Sequence, residues 1–432
     1  MRLSWRAIVS PEALLLLGAV QANLPYVLWR YYPVCDRYPV RISYEVLPLW
    51  GWAYGAFVLG AVHVSTCMVR RRREDRGLPY KVDGGRFRLA LIVVLGAFGV
   101  QLCMACILYG VIPLVAYFRG FHVATLNLLQ ERSAFGQLGL LMLTHFVLNA
   151  LIIVGFVGPQ ESASGGRKLL WAAVILSVFG GVFAGKTQGL FLFVCAVFTG
   201  CALAGATPVV VLARGLGFGR PSSAMTLLII VVLAAGLLVV HGFTRAMRIG
   251  QFRNFALGYA MESAVEYLSW PLLNMEHQVA IMARNDAGGE PAGILGGLLP
   301  YKMQEALGVS ERSRLPRIEP TSPSGLLSGP LWHFGWWGMI LFMFCLGVLC
   351  RILYVQSARS LFCLLAYSQI AWTLVAAHSY NHFFNLLYIP APIAIFAVLA
   401  RFIARRRTVR EADSNLPGIR PEAVLRCARG LR

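Results

Sequence analysis

The chain has 432 residues, of which 58% are hydrophobic and only 13% charged, and its formal net charge is +20. Soluble domains carry about 25% charged residues. Together with a mean hydropathy of +0.65, this composition excludes an ordinary soluble enzyme and indicates an integral membrane protein. The alternation of polar and apolar residues that marks barrel strands is missing. Because lipid offers backbone groups no hydrogen-bond partner, the spans are predicted to be helices.

Ten apolar stretches are long enough to be predicted as transmembrane helices, since a span needs about 20 such residues. They are residues 10–29, 46–69, 89–112, 137–157, 169–184, 190–206, 224–242, 332–355, 360–378 and 386–403. The first is interrupted by Gln21, Asn23 and Pro25. A signal peptide with Arg2 and Arg6 as its basic region is the alternative interpretation of that stretch.

The distribution of Lys and Arg predicts the orientation of these helices, because basic residues concentrate in cytoplasmic loops. Of the 39 basic residues, 25 fall in segments on one side, six in short loops on the other side, and eight in the long segment 243–329. We therefore predict ten spans with both termini in the cytoplasm. The predicted units are helices one to seven in 1–242, a large outer loop in 243–329, helices eight to ten in 330–403, and a basic cytoplasmic tail in 404–432.

The long outer segment is the predicted place of chemistry, because its eight basic and eight acidic residues balance while the whole chain is strongly basic. It is predicted to begin with an amphipathic helix over about 244–268 and to leave that helix at SWPLLNMEHQ. A short helix is predicted near 301–308. No nucleotide-binding loop, serine-hydrolase elbow or cluster of metal ligands occurs in the sequence, so neither a cofactor nor a metal is predicted.

Basic side chains on the outer side are the first candidates for function. Lys186 stands in the turn GKTQG between the fifth and sixth spans, and Arg245, Arg248 and Arg253 follow the seventh span. Lys binds phosphate as a point charge and Arg binds it in a bidentate manner. The alternatives are a snorkelling Lys and arginines that form surface ion pairs with acidic residues of the same loop.

Acidic and histidine side chains on the outer side are candidates for proton transfer. Glu262 and Glu266 are four residues apart, so they share a helix face, and a solvated face is the alternative explanation. Five of the eight histidines fall at outer span ends or in the long loop, and His is the usual proton-transfer group near neutral pH. They are His241, His277, His333, His378 and His382. Tyr380 lies in the same outer turn as the last two.

The turn GKTQG at 185–189, the arginines that open the long loop, and the loop end PTSPSG…GPLWHFGWWG at 320–338 together resemble the O-antigen polymerase family of oligosaccharide repeat-unit polymerases. The resemblance covers about 170–355. The family hairpin often carries Arg where this chain has Lys186, which retains the charge without the bidentate fork. The related O-antigen ligases share the architecture.

The resemblance implies an all-α, GT-C-like protein of the bacterial inner membrane with about ten spans. It implies a metal-independent glycosyltransferase that transfers an undecaprenyl-diphosphate-linked glycan onto another lipid-linked repeat unit at the periplasmic face. Its catalytic residues would be Arg245, Arg248, Lys186, Glu262 and His333. Its substrate-binding residues would be Arg253, His277, Tyr380 and His382. Its partners would be the lipid-linked glycan, membrane lipids and a chain-length regulator protein, and no nucleic acid.

Four alternatives remain at this point. The chain is an O-antigen ligase, or a glycosyltransferase that uses a polyprenyl-monophosphate sugar with Asp36 of the first outer loop as its catalytic acid or base. From other classes, it is a transporter or flippase for a lipid-linked glycan, which would need functional charges inside the spans, or a non-catalytic subunit of an envelope complex.

Overall fold

A computed structural model describes residues 5–28, 46–69, 80–108, 137–157, 165–183, 187–204, 257–285, 303, 306, 325–377 and 388–406. The described chain is helical apart from one short two-stranded ribbon. Its helices are α1 (Trp5–Ile8), α2 (Pro11–Leu28), α3 (Val46–Val69), α4 (Gly84–Leu108), α5 (Gln137–Val157), α6 (Gly165–Phe183), α7 (Thr187–Leu203), α8 (Leu257–Asn285), α9 (Ser328–Gln356), α10 (Leu361–Val375) and α11 (Pro390–Ile403). The strands are β1 (Tyr80–Val82) and β2 (Ala404–Arg406).

The helices occur where the apolar stretches predict them. Nine of the ten predicted spans coincide with α2 to α7 and α9 to α11, and their ends agree to within five residues. The seventh, 224–242, lies outside the described residues. Among the described residues, three helices are by themselves long and apolar enough to cross a membrane, namely Val46–Thr66, Gly84–Met104 and Ser328–Gln356. Five shorter apolar helices accompany them, so the fold is compatible with a multi-pass membrane protein.

Helix α10 lies at the centre of the described bundle. Nearly every one of its residues is buried, and it packs against α2, α7, α9 and α11. The Ser368 hydroxyl donates to the Leu364 carbonyl, the Thr373 hydroxyl to the Ile370 carbonyl, and Nε2 of Gln369 to the carbonyl of Tyr388. A helix with this pattern buries its whole circumference without exposing a polar group to apolar surroundings.

The closest helix pair is α3 with α9. A Cβ placed on Gly60 would overlap the carbonyl oxygen of Phe344, and one on Gly347 would overlap that of Phe57. Small residues at such crossings let two backbones approach closely. Lipid tails are as apolar as the side chains, so helices in a membrane associate through this close packing and not through the hydrophobic effect. This pair therefore fixes the position of α9, which carries His333.

Two contacts join segments that are predicted to be cytoplasmic. The backbone N–H of Asp83 donates to the Ile403 carbonyl at 3.0 Å, and β1 pairs with β2 in antiparallel register. The hydroxyl of Tyr354 donates to the carbonyl of Arg6 at 2.8 Å. The loop before α4 thus contacts the start of the tail, and the N-terminal segment contacts the end of α9. The first three residues of that tail form a strand.

Helix α8 extends beyond its predicted end. The prediction ended a helix near 268 and made SWPLLNMEHQ irregular, but the helix continues through Pro271 to Asn285. Pro271 removes only one donor from the helix, and Leu272, Leu273 and Met275 beside it are buried against neighbouring helices. Tertiary packing therefore overrides the usual effect of proline. Residues 244–256, where the predicted helix began, are outside the described part.

Candidate functional site

The middle of α8 holds a group of buried polar side chains. Between 269 and 278, only Trp270 and His277 are partly exposed. The buried side chains include four polar ones, Ser269, Asn274, Glu276 and Gln278, with relative exposures of 1%, 0%, 4% and 0%. Asn274 and Gln278 are one helical turn apart and share a face. Each of these four residues takes part in at least one polar, ring or electrostatic interaction.

A buried carboxylate such as that of Glu276 is costly unless it is compensated by hydrogen bonds or charges. Charged residues are almost never fully buried without a partner. Helix α8 as a whole packs mainly against α2 and also contacts α3 and α9. The middle of α8, which lies between two predicted spans, thus places the carboxylate of Glu276 and the amides of Asn274 and Gln278 inside the helix bundle.

Helix α9 supplies a second set of polar groups, because it is broken near its beginning. Gly335 has φ 66° and ψ −168°, which is outside the helical region and which only glycine adopts without strain. The seven residues before this break contain Ser328 and His333, which are buried at 0% and 5% exposure. The Ser328 hydroxyl has no hydrogen-bond partner within the described part of the chain. The break therefore separates a buried polar first segment from the long apolar helix.

The beginning of α9 is tied to the end of the central helix. The backbone N–H of Leu326 donates to the carbonyl of Ala377 at 2.6 Å, and residues 325 to 331 are all buried. Since α8 also contacts α9, the polar segment of α8 and the broken start of α9 belong to adjacent elements. We call these two segments, 269–278 of α8 and 328–335 of α9, the polar junction.

Of the predicted site residues, three are described. His333 is buried in the polar junction, His277 is partly exposed in the same stretch of α8, and Glu262 lies near the start of α8. With about 1.5 Å of rise per helical residue, Glu262 is roughly 20 Å along the axis from His277. The helix therefore does not bring these two predicted residues together. The other predicted residues lie outside the described part, namely Lys186, Arg245, Arg248, Arg253, Tyr380, His382 and the alternative Asp36.

Glu276 was not among the predicted candidates. The prediction favoured Glu262 and Glu266 because two acids one turn apart are conspicuous, whereas Glu276 is a single acid in a segment predicted to be irregular. The signal for Glu276 was present in the sequence. Its neighbours at helical spacing, Leu272, Leu273 and Val279, are apolar, and an acid surrounded by apolar residues on a helix is predicted to be buried once the helix is assumed.

A separate polar network lies inside α5 and α6. The Nε2 of His145 is 3.0 Å from the Ser177 carbonyl oxygen and 2.8 Å from its hydroxyl oxygen, and that hydroxyl donates to Oδ1 of Asn149 at 2.5 Å. A carbonyl only accepts, so Nε2 of His145 carries the proton. The direction of donation then runs from His145 through Ser177 to Asn149. This order makes Ser177 a donor to an amide and not a nucleophile activated by His145.

Within the residues that the structure describes, no group of three or more His, Cys, Asp and Glu side chains is arranged to hold a metal ion. The polar groups of the polar junction include amides, hydroxyls, two imidazoles and one carboxylate. Amides and hydroxyls both donate and accept hydrogen bonds, so this set suits a hydroxyl-rich ligand.

Comparisons were made with protein-family models, with curated proteins and with solved structures. No match was found in any of the three.

Proposed function

We propose that the chain is a ten-span protein of the bacterial inner membrane, with both termini in the cytoplasm, that polymerises lipid-linked glycans at its outer face. The donor is an undecaprenyl-diphosphate-linked oligosaccharide, and the acceptor is a sugar hydroxyl of another lipid-linked repeat unit. Support comes from the resemblance of 170–355 to repeat-unit polymerases and from the polar junction, which joins the charge-rich outer segment to the helix bundle.

The observation that carries the proposal is the burial of Glu276 with Asn274 and Gln278 in α8. Glycosyl transfer requires a group that accepts the proton of the attacking hydroxyl. We assign this role to Glu276, because its carboxylate is 4% exposed and lies in the same buried stretch as Asn274 and Gln278. Buried amides such as those of Asn274 and Gln278 are suited to orienting sugar hydroxyls.

The reaction forms one bond and breaks one bond. The acceptor oxygen attacks the anomeric carbon of the donor, its proton passes to the Glu276 carboxylate, and the bond from the anomeric carbon to the lipid pyrophosphate breaks. The departing diphosphate carries the additional negative charge. Cationic side chains offset such developing charge without reorganising, and Lys186, Arg245 and Arg248 are proposed for this role. Arg253, His277, Tyr380 and His382 are proposed to hold the glycan, with His333 at the acceptor.

The mid-helix network of His145, Ser177 and Asn149 bears on the transporter alternative. Transporters that couple to protons use ionisable pairs within their spans. This network consists of an imidazole, a hydroxyl and an amide, and it contains no carboxylate. It therefore does not favour a proton-coupled flippase over the glycosyltransferase.

The test is deletion of the gene followed by gel analysis of surface glycans. We expect single-repeat glycans without long chains, restored to a full ladder by the wild-type gene. Glu276→Gln at normal protein level should leave single repeats. The control for loss of a carboxylate is Glu411→Gln in the predicted cytoplasmic tail, which should keep the ladder. Loss of all attached glycan with accumulation of lipid-linked polymer would identify a ligase, and an unchanged ladder in the deletion strain would refute both activities.

A further inference from the structure

The beginning of α2 carries an acidic residue that is held by a basic residue of α9. The sequence Ser-Pro-Glu starts the helix, because the Ser10 hydroxyl accepts from the backbone N–H of Ala13 at 3.3 Å and Pro11 suits the first helical position. Glu12 is thereby placed in the first turn of α2. Nη1 of Arg351 lies 3.3 Å and 3.5 Å from its two carboxylate oxygens, so the pair joins the end of α9 to the start of α2.

A second guanidinium group, that of Arg6 in α1, lies beside the same cluster. Its carbon is 5.5 Å from the centre of the Tyr354 ring, and the guanidinium carbon of Arg351 is 5.2 Å from that centre. The Tyr354 hydroxyl donates to the carbonyl of Arg6 at 2.8 Å, which holds the backbone of α1 against α9. Two cations and the carboxylate of Glu12 are therefore gathered near one aromatic ring.

The hydrogen-bonding capacity of this cluster is only partly used. Among the described residues, no carboxylate lies within ion-pair distance of Arg6. Arg351 uses its Nε for the Ser65 hydroxyl and its Nη1 for Glu12, although a guanidinium has five N–H donors. Within the same part of the chain, the Glu12 carboxylate accepts from Nη1 of Arg351 alone, although it offers about four lone-pair sites. Donors thus remain on the two arginines, and acceptors remain on Glu12.

The cluster can be reached from outside the bundle. The side chains of Arg351 and Glu12 are 20% and 23% exposed, and Arg6 is also partly exposed. Hydrocarbon cannot satisfy the remaining donors and acceptors, because it offers no hydrogen-bond partner. A ligand at the membrane surface that has both an acceptor and a donor can use them together.

An exposed apolar stripe of α2 begins beside Glu12. Leu16, Val20 and Leu24 follow at intervals of four residues, so that each lies next to the one before on the helix surface, and they are 48%, 56% and 37% exposed. From Glu12 to Leu24 the helix rises by about 18 Å, which is comparable with the roughly 15 Å of hydrocarbon in one leaflet. These three residues, which we call the α2 stripe, therefore fit an acyl chain whose headgroup lies at Glu12.

The headgroup that matches this cluster carries an anion and an N–H donor. A phosphodiester accepts hydrogen bonds from guanidinium groups. A primary ammonium group has three N–H donors, which suit the remaining lone pairs of Glu12. The quaternary ammonium of phosphatidylcholine has no N–H, and phosphatidylglycerol has no cation for the carboxylate. A free phosphate would leave both Glu12 and the α2 stripe unused, so phosphatidylethanolamine is the ligand that uses every part.

We propose that Arg6, Arg351 and Glu12 form a binding site for the zwitterionic headgroup of phosphatidylethanolamine, with an acyl chain of the lipid along the α2 stripe. The phosphate accepts from Arg6 and from the remaining donors of Arg351, and the ammonium group donates to Glu12. The bound lipid thereby joins α1, α2 and α9 at the predicted cytoplasmic end of the bundle. This site does not depend on the proposed glycan chemistry.

The test is native mass spectrometry of the full-length protein in detergent, with phosphatidylethanolamine, phosphatidylcholine and phosphatidylglycerol of identical acyl chains. The wild type should bind phosphatidylethanolamine about tenfold more tightly than phosphatidylcholine, because only the former donates hydrogen bonds to a carboxylate. Glu12→Gln should reduce this preference to nearly none. Arg6→Gln should weaken the binding of both lipids about fivefold and keep the preference, because it acts on the phosphate that they share.

Two controls remove charges elsewhere, namely Arg359→Gln at an exposed position just after α9 and Glu411→Gln in the predicted tail. Both should bind all three lipids as the wild type does. The preference is a ratio measured within one variant, so a general loss of stability in Glu12→Gln does not alter it.

Glycerophosphoethanolamine separates a lipid site from a site for the free headgroup, because it has the same head without acyl chains. At equal concentration it should not displace phosphatidylethanolamine from the wild type. Displacement by this compound, equal binding of phosphatidylethanolamine and phosphatidylcholine, or tighter binding of phosphatidylglycerol would each overturn the proposal. So would a preference that Glu12→Gln retains, or undiminished binding by Arg6→Gln.

Discussion

The ion pair between Glu12 and Arg351 is predicted to stabilise the helix bundle. Nη1 of Arg351 is 3.3 Å and 3.5 Å from the two carboxylate oxygens of Glu12, and its Nε donates to the Ser65 hydroxyl at 2.8 Å. Its guanidinium carbon is also 5.2 Å from the centre of the Tyr354 ring. These contacts join α2, α3 and α9 through one side chain. We test them with Glu12→Gln, Arg351→Gln and the double variant.

The expected magnitude follows from the geometry and the burial of the pair. The two side chains are 20% and 23% exposed, so screening by solvent is limited. Charges about 4 Å apart attract by about 4 kcal/mol at an effective dielectric constant of 20, and desolvation offsets most of that attraction. We expect a loss of about 2 kcal/mol for Glu12→Gln and about 3 kcal/mol for Arg351→Gln, which also loses the Ser65 bond and the Tyr354 contact.

The double variant distinguishes an interacting pair from two independent losses. If the charges interact, removing both should cost about 4 kcal/mol, which leaves a coupling of about 1 kcal/mol. The measurement is reversible unfolding in mixed detergent and dodecyl sulfate micelles, followed by circular dichroism. Arg359→Gln serves as the control for a lost charge at an exposed site. Losses for the two single variants that add up to that of the double variant, or single losses no larger than that of the control, would refute the reasoning.

Three further predictions concern single positions. Gly347→Leu should lower the unfolding temperature strongly, because even a Cβ at this position overlaps the Phe57 carbonyl oxygen. The control Gly51→Leu should be nearly neutral, because nothing lies within 4 Å of the Cβ position of Gly51. Gly335→Ala should cost about 1–2 kcal/mol from the positive φ alone, because its Cβ position is also open, so a loss below about 0.3 kcal/mol would contradict the break. Ser177→Ala should cost about 1–3 kcal/mol because it removes the donor to the buried Oδ1 of Asn149, whereas Nε2 of His145 keeps its bond to the backbone carbonyl of residue 177. Thermal unfolding that matches the wild type would show that the network is not formed.

The positions of the helices were predictable from the sequence, because a window of apolar residues is a sufficient signal for a helix that lipid or other helices surround. Hydropathy does not predict which helix lies at the centre of the bundle. Helix α10 contains Ser368, Gln369 and Thr373, and nothing in its hydropathy separates it from its neighbours. Its central place depends on pairwise packing, which becomes visible only with the coordinates.

The candidate site was predictable only in part, because the predicted helix ended near 268. That end left Glu276 outside the helix and removed the periodicity that would have marked it as buried. His333 was a candidate because it is one of five histidines predicted to lie on the outer side. The ribbon of β1 and β2 was not predictable, because strands of three residues carry no useful alternation and the partners are more than 300 residues apart in sequence.

Pro271 and Gly335 lie in two helices that contact each other, and both interrupt regular backbone hydrogen bonding. Pro271 cannot donate to the carbonyl four residues before it, and the positive φ of Gly335 breaks the ladder of α9. In a lipid-facing helix each such interruption would be costly, because hydrocarbon provides no substitute partner. Interrupted helices in membrane proteins are accommodated where they face other protein or a polar ligand. The presence of both interruptions beside Glu276 and His333 therefore makes α8 and α9 the part of the described bundle best suited to hold a polar substrate.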